Sequence, residues 1–188
     1  MSVGGAEAGI RPRRLRLAGL AVSVILVLTA VVLAIVGGSG GEAAQGIDTA
    51  PHLVDVAALT ELESSLGHSV YWAGERPPAR LELKEEGEGS VYLRYLPPGV
   101  EAGDPEQLYL TVGTYPVPDA VAALARAAAQ SGEPLRHLED GGVVLPNSAS
   151  EGSVYLAYPE SDLQIEVYDP TPGRSLRLIR SGAIQPLG

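Results

Sequence analysis

The sequence predicts an α+β domain held outside a membrane by an N-terminal transmembrane helix. Three observations carry that prediction. Leu17 to Val36 is a run of twenty residues without a charge. Two later segments, near 55–66 and 118–131, space their apolar residues as helices do. The strand-like octapeptide Glu88-Gly-Ser-Val-Tyr-Leu-Arg-Tyr95 recurs as Glu151-Gly-Ser-Val-Tyr-Leu-Ala-Tyr158, 63 residues later, with one change in eight. The expected architecture is an antiparallel sheet with both helices on one face, built from a duplicated α-β-β-β-β unit.

At about 1.5 Å per residue, the uncharged run spans roughly 30 Å as a helix, the thickness of a bilayer's hydrocarbon core. Arg11, Arg13, Arg14 and Arg16 precede it, and Gly37 to Gly41 follow with no basic residue. Basic flanks stay on the cytoplasmic side. Residues 1–16 therefore read as a cytoplasmic tail, 17–36 as the transmembrane helix and 37–50 as a flexible linker. Residues 51–188 read as an extracytoplasmic domain. The competing reading is a cleaved signal peptide, but its apolar region is usually about 7–15 residues, shorter than this one. No clean Ala-x-Ala site follows, and the absence of cysteine excludes a lipid-modified Cys. The linker's root-mean-square reach is roughly 20 Å, which keeps the domain near the membrane.

In the domain, Val56, Leu59, Leu62 and Leu66 form one stripe of a helix within Asp55–Leu66, stopped by Gly67. Its start is ambiguous, because Asp55 and the capping box Thr60-Glu-Leu-Glu63 are both suitable. Strands are expected at Ser69–Trp72, Arg80–Lys84, Ser90–Leu96 and Leu108–Thr114, with a hairpin loop at Glu85–Gly89. A second helix is expected over Pro118–Ser131, with Pro118 at its first position and Gly132 past its end. Its stripe is Val121, Leu124, Ala125 and Ala128. Further strands follow at Gly142–Leu145, Ser153–Tyr158, Leu163–Tyr168 and Ser175–Ile179. The alternative to duplication is that EGSVYLxY merely suits the passage from a turn into a strand.

From residue 42 onward there are 22 Asp/Glu and 9 Lys/Arg, a net charge of −13. A domain this acidic is repelled by nucleic acid and by anionic headgroups, so nucleic-acid binding is disfavoured. Without cysteine it has neither disulfides nor thiol chemistry, and its core alone must hold it.

Catalytic signatures are missing from the sequence. His52, His68 and His137 have no metal-ligand spacing, so no metal site and no cofactor are expected. The one G-x-S-x-G string, Gly37-Gly-Ser-Gly-Gly41, stands in the linker without the strand-to-helix turn of a nucleophile elbow, and there is no S-x-x-K and no phosphate-cradling loop. Carboxylates gather at Glu82/Glu85/Glu86/Glu88, Glu101/Asp104/Glu106 and Glu160/Asp162, where the ordinary role is solubility. Period-two alternation puts Tyr92 and Arg94 on one sheet face and Val91, Leu93 and Tyr95 on the other, with Tyr155 equivalent to Tyr92. Tyr92, Arg94 and Tyr155, with Tyr71 or Trp72, are the candidate binding residues, an aromatic patch on an exposed sheet face. The bland alternative is that tyrosine replaces the absent Phe at the rim of the core.

At Gly67-His-Ser-Val-Tyr-Trp-Ala-Gly74, Arg94-Tyr-Leu-Pro-Pro-Gly99 and Tyr109-Leu-Thr-Val-Gly-Thr-Tyr-Pro116, the chain resembles uncharacterised actinobacterial single-pass membrane-anchored proteins with a VYW-x-G strand. The likeness covers much of 60–130. It implies an envelope location and no activity, and it assigns no residue a role.

The expected function is thus non-catalytic capture of an envelope protein or glycan by a domain anchored in the lipid bilayer through residues 17–36. The alternatives are an envelope hydrolase using the acidic-loop carboxylates, or an accessory subunit of a membrane complex. The hydrolase requires carboxylates of two acidic loops to converge with His68 or His137.

Overall fold

The structure, a computed structural model, describes residues 49–188. The predicted tail, transmembrane helix and most of the linker lie outside the described residues. Among the described residues no helix is long and apolar enough to cross a membrane.

The domain is α+β, with a mostly antiparallel sheet and three helices. In chain order it runs β1 (His52–Val54), α1 (Val56–Leu66), β2 (Tyr71–Trp72), β3 (Arg80–Glu86), β4 (Ser90–Leu96) and β5 (Thr111–Pro116). Then follow α2 (Ala120–Ser131), β6 (Arg136–His137), β7 (Val143–Pro146), β8 (Ser153–Ala157), β9 (Leu163–Tyr168), α3 (Arg174–Arg180) and β10 (Gln185–Pro186). Eight strands form one sheet in the order β1-β3-β4-β5-β9-β8-β7-β6, and β2 pairs separately with β10. The β5–β9 pair lies between two runs of like order, β5-β4-β3 on one side and β9-β8-β7 on the other. The two octapeptide strands, β4 and β8, thus each lie one strand out from that central pair.

Alternation decides what each face buries. Val91, Leu93, Val154 and Leu156 belong to one apolar core with Val112, Ile165 and Val167. Their alternates Tyr92 and Tyr155 belong to a second core with Tyr115 and Leu145. The four aliphatic residues of the octapeptides are all buried on the same face of the sheet.

The helices depart from expectation. Leu59 of α1 and Leu178 and Ile179 of α3 pack into the first core, whereas Ala120, Ala123, Leu124 and Ala128 of α2 pack into the second. The two predicted helices therefore cover opposite faces. The physical reason is that neither face is polar enough to be left in water. The aliphatic face needs cover across its width, and the tyrosine face carries enough ring surface to need a helix of its own.

Helix α3 is the second correction, because it occupies the expected strand at Ser175–Ile179. Ser175, Leu178 and Ile179 are buried, at i, i+3 and i+4 spacing. Five residues with leucines two apart fit a period of two as well as one of 3.6, and the longer window through Arg180 decides for the helix.

Smaller differences have local causes. Asp55 caps α1 by accepting from the Ala58 N–H at 2.9 Å, which settles its start. Asp119, not Pro118, flanks the start of α2, and the Asp119 N–H donates to Asp162 Oδ1. The α2 stripe is rotated, so Ala125 is exposed and Ala123 buried. The expected strand at 108–114 begins only at Thr111, since the chain before it loops over the sheet.

Candidate functional site

The predicted patch is not exposed. Tyr92, Tyr155 and Trp72 are 6%, 7% and 8% exposed, the first two beneath α2 and the third in the opposite core. The structure brings Tyr92 and Tyr155 onto one face but leaves Tyr71 and Trp72 on the separate β2 strand. Their burial matches the alternative in which tyrosine takes the place of Phe.

What organises the tyrosines is a residue that sequence reasoning missed. Register aligns Tyr92 with Gly113, Gly113 with Glu166, and Glu166 with Tyr155 in one row across β4, β5, β9 and β8. Glu166 Oε2 accepts from the Tyr115 hydroxyl at 2.8 Å, and Oε1 accepts from Ser153 Oγ at 2.6 Å. The Tyr115 ring reaches Glu166 by lying back over Gly113, where a Cβ would stand 2.5 Å from its hydroxyl oxygen and 2.7 Å from Cζ. Tyr92 meets that ring edge-on at a centroid distance of 5.4 Å. Burial and, after it, the Glu166 charge hold the Tyr115 and Tyr155 hydroxyls well above the ordinary phenol range. They remain protonated, which suits Tyr115 to donate to the carboxylate. This is a polar core that fixes β5 against β9. A glycine inside a strand is the sequence signal that could have found it.

Arg94 likewise faces inward. Its Nη1 donates to Glu82 Oε1 at 2.9 Å, and Nη2 donates to the carbonyls of Asp104 and Glu106 at 2.9 and 3.1 Å. Glu82, 1% exposed, also accepts from the Gly103 N–H. The guanidinium carbon lies 5.0 Å from the centroid of the Tyr109 ring. Tyr168 donates its hydroxyl to Gln107 O at 2.7 Å. Together these contacts tie the 97–110 loop down over the sheet. Arg94 thus acts as a clamp on that loop.

Tyr71 is the predicted aromatic residue that reaches the surface. Its ring stacks on Tyr158, the last residue of the second octapeptide, with centroids 6.3 Å apart and planes 16° from parallel. Both are half-buried. Tyr158 donates to Asp140 Oδ2 at 3.1 Å, and Asp140 Oδ1 accepts from the Gly142 N–H at 3.0 Å. A Cβ on Gly142 would meet the Tyr158 ring at 3.0 Å, so glycine lets this turn lie against the ring. Burial, then Asp140, pushes the Tyr158 hydroxyl up to about 12, and burial raises Tyr71. Tyr95, the first octapeptide's counterpart of Tyr158, accepts from the Ala73 N–H at 2.7 Å. The two octapeptide tyrosines thereby hold the 71–73 segment from both halves.

The convergence that hydrolysis would need is not formed. His68 sets its ring nitrogens 3.0 and 3.1 Å from the carbonyls of Ser69 and Gly89. His137 is exposed on the edge strand β6. Neither pairs with a carboxylate among the described residues, where no group of three His, Asp or Glu side chains is placed to hold a metal.

No family model, no curated protein and no solved structure matches the chain.

Proposed function

We propose that this chain is a single-pass membrane protein whose folded domain lies outside the membrane and binds an envelope glycan through the Tyr71–Tyr158 pair. The anchoring is supported by the uncharged Leu17–Val36 run with arginines on one side only. The single observation that carries the binding surface is the half-exposed stack of Tyr71 on Tyr158, with Asp140 on one hydroxyl. Ring faces suit the apolar side of a pyranose, and the bordering carboxylate suits its hydroxyls. An envelope protein is the second ligand class for the same surface, since tyrosine is enriched where partners dock.

The domain's two halves are, on this reading, copies of one α-β-β-β-β unit. The support is the octapeptide echo, the like placement of β4 and β8 beside the central strands, and the shared face of their aliphatic residues. The second copy has moved its helix to the other face, and α3 packs on β8 and β9 in the first core.

Tyr71→Ala/Tyr158→Ala should reduce retention of the full chain on insoluble envelope polysaccharide about tenfold or more, while costing about 1–2 kcal/mol of stability, as half-exposed rings do. Unchanged retention would remove this surface from the account. Retention on envelope protein but not on polysaccharide would leave the surface and replace the ligand.

A further inference from the structure

Basic charge in this domain is segregated. From residue 170 to 188 there are three arginines and no Asp or Glu, whereas residues 42–169 hold 22 acidic and 6 basic residues. The three arginines are Arg174, Arg177 and Arg180, all exposed on α3. Spacings of three residues keep them on one side of a helix. The opposite side is fixed to the sheet, with Leu178 and Ile179 in the core and Ser175 Oγ donating to Gly152 O. Leu176 lies half-buried among the arginines. Arg174 is 3.5 Å from Asp169 Oδ2, and Arg177 donates to Pro172 O at 3.4 Å. Arg180 makes no ion pair among the described residues. The result is a rigidly mounted cationic surface on a body that is otherwise strongly anionic.

The tether leaves this body at the far edge. Thr49, the first described residue, donates its N–H to Glu85 O, beside β1. From β1 to β9, where α3 packs, is four strand steps in the sheet, about 19 Å at about 4.8 Å each. That distance is within the roughly 20 Å reach of the linker. An acidic body close to an anionic surface turns a basic face toward that surface.

We propose that α3 is the face on which the tethered domain rests against its own bilayer, with Arg174, Arg177 and Arg180 binding the phosphate oxygens of anionic lipid headgroups. This rests on the anchored topology proposed above. Its consequence for that reading is an orientation: α3 faces the lipid, and the acidic loop at 101–106, tied to Glu82 and Arg94 on the other face of the sheet, is held away from it.

Because the chain has no cysteine, Ser181→Cys gives one labelling site beside α3. The full chain, labelled there with a fluorophore, is reconstituted into vesicles of phosphatidylcholine, alone or mixed with phosphatidylglycerol, carrying a headgroup quencher. Quenching should rise when phosphatidylglycerol is included and fall again with added salt. Arg177→Gln/Arg180→Gln keeps the Arg174–Asp169 pair, so it preserves the fold, and should weaken the headgroup association roughly tenfold. Quenching that is the same in both lipids, or unaffected by the double substitution, overturns the proposal. A chain that fails to co-sediment with phosphatidylcholine vesicles after an alkaline wash overturns the anchoring itself, and this proposal with it.

Discussion

Arg94→Ala should destabilise the domain by about 3–5 kcal/mol, the range expected when one partner of a buried ion pair is removed. Glu82 would be left at 1% exposure with only the Gly103 N–H and no counter-charge. Since a domain's whole stability is about 5–15 kcal/mol, this one change approaches the limit of folding. The carbonyls of Asp104 and Glu106 lose their donor in the same step, so amides and peptide bonds of the 97–110 loop should become accessible. The double variant Glu82→Leu/Arg94→Met separates charge from packing. Replacing both charges by apolar groups of similar size should recover most of the loss in urea unfolding, while limited proteolysis should still find the loop loosened. If Arg94→Ala costs less than about 1 kcal/mol, Glu82 is solvated and the clamp does not exist.

Gly113→Ala should cost about 1–3 kcal/mol, toward the upper end. The new methyl would overlap the Tyr115 ring at distances no van der Waals contact permits. The ring has no easy escape, because its hydroxyl is held by Glu166 and Tyr92 packs on its face. In a Tyr115→Ala background the clash is absent, so the same glycine substitution should be neutral or slightly stabilising.

Titration gives an independent reading of this substitution. In the folded wild type the Tyr115 hydroxyl lies well above its ordinary value through burial and the Glu166 charge, while in the unfolded chain it ionises at about 10. Above pH 10 the unfolded state therefore holds fewer protons. The contribution of Tyr115 to stability is complete below that pH and is lost as pH rises further. Gly113→Ala should expel the ring and let one more tyrosine ionise near pH 10 before unfolding, seen as tyrosinate absorbance. A wild-type Tyr115 that titrates normally would contradict the buried contact.

Legibility of the fold followed length and periodicity. Long amphipathic segments and the octapeptide strands were readable because their burial repeats along the chain, as with Val91, Leu93, Val154 and Leu156. The face covered by each helix was not, because the side of a sheet on which a helix lands depends on nonlocal packing. Helix α3 was misread because Leu176 and Leu178 mimic a strand over a short window. The short strands β1, β6 and β10 are too brief to carry a pattern.

The candidate site was legible only in part. Tyr71 stands among the candidates, but its partner Tyr158 does not, because alternation groups it with Val154 and Leu156 and not with Tyr155. Tyr92 and Tyr155 were placed on the correct face and given the wrong environment, since alternation fixes a side chain's face and not what covers it. The Glu82–Arg94 pair was within reach, because a hairpin closing at Gly87–Gly89 brings those two residues opposite each other. Glu82 instead counted as one more acidic loop residue, although strand β3 buries it.

The central claim, a folded domain anchored with its C-terminal part outside, is tested most directly by protease treatment of intact cells producing the full chain with a tag at each end. The account predicts loss of the C-terminal tag and the folded domain, with a membrane-bound fragment that keeps the N-terminal tag and is cut only when the membrane is breached. Recovery of the domain in the medium with a new N-terminus near residues 37–45, or full protection of both tags until lysis, would contradict it.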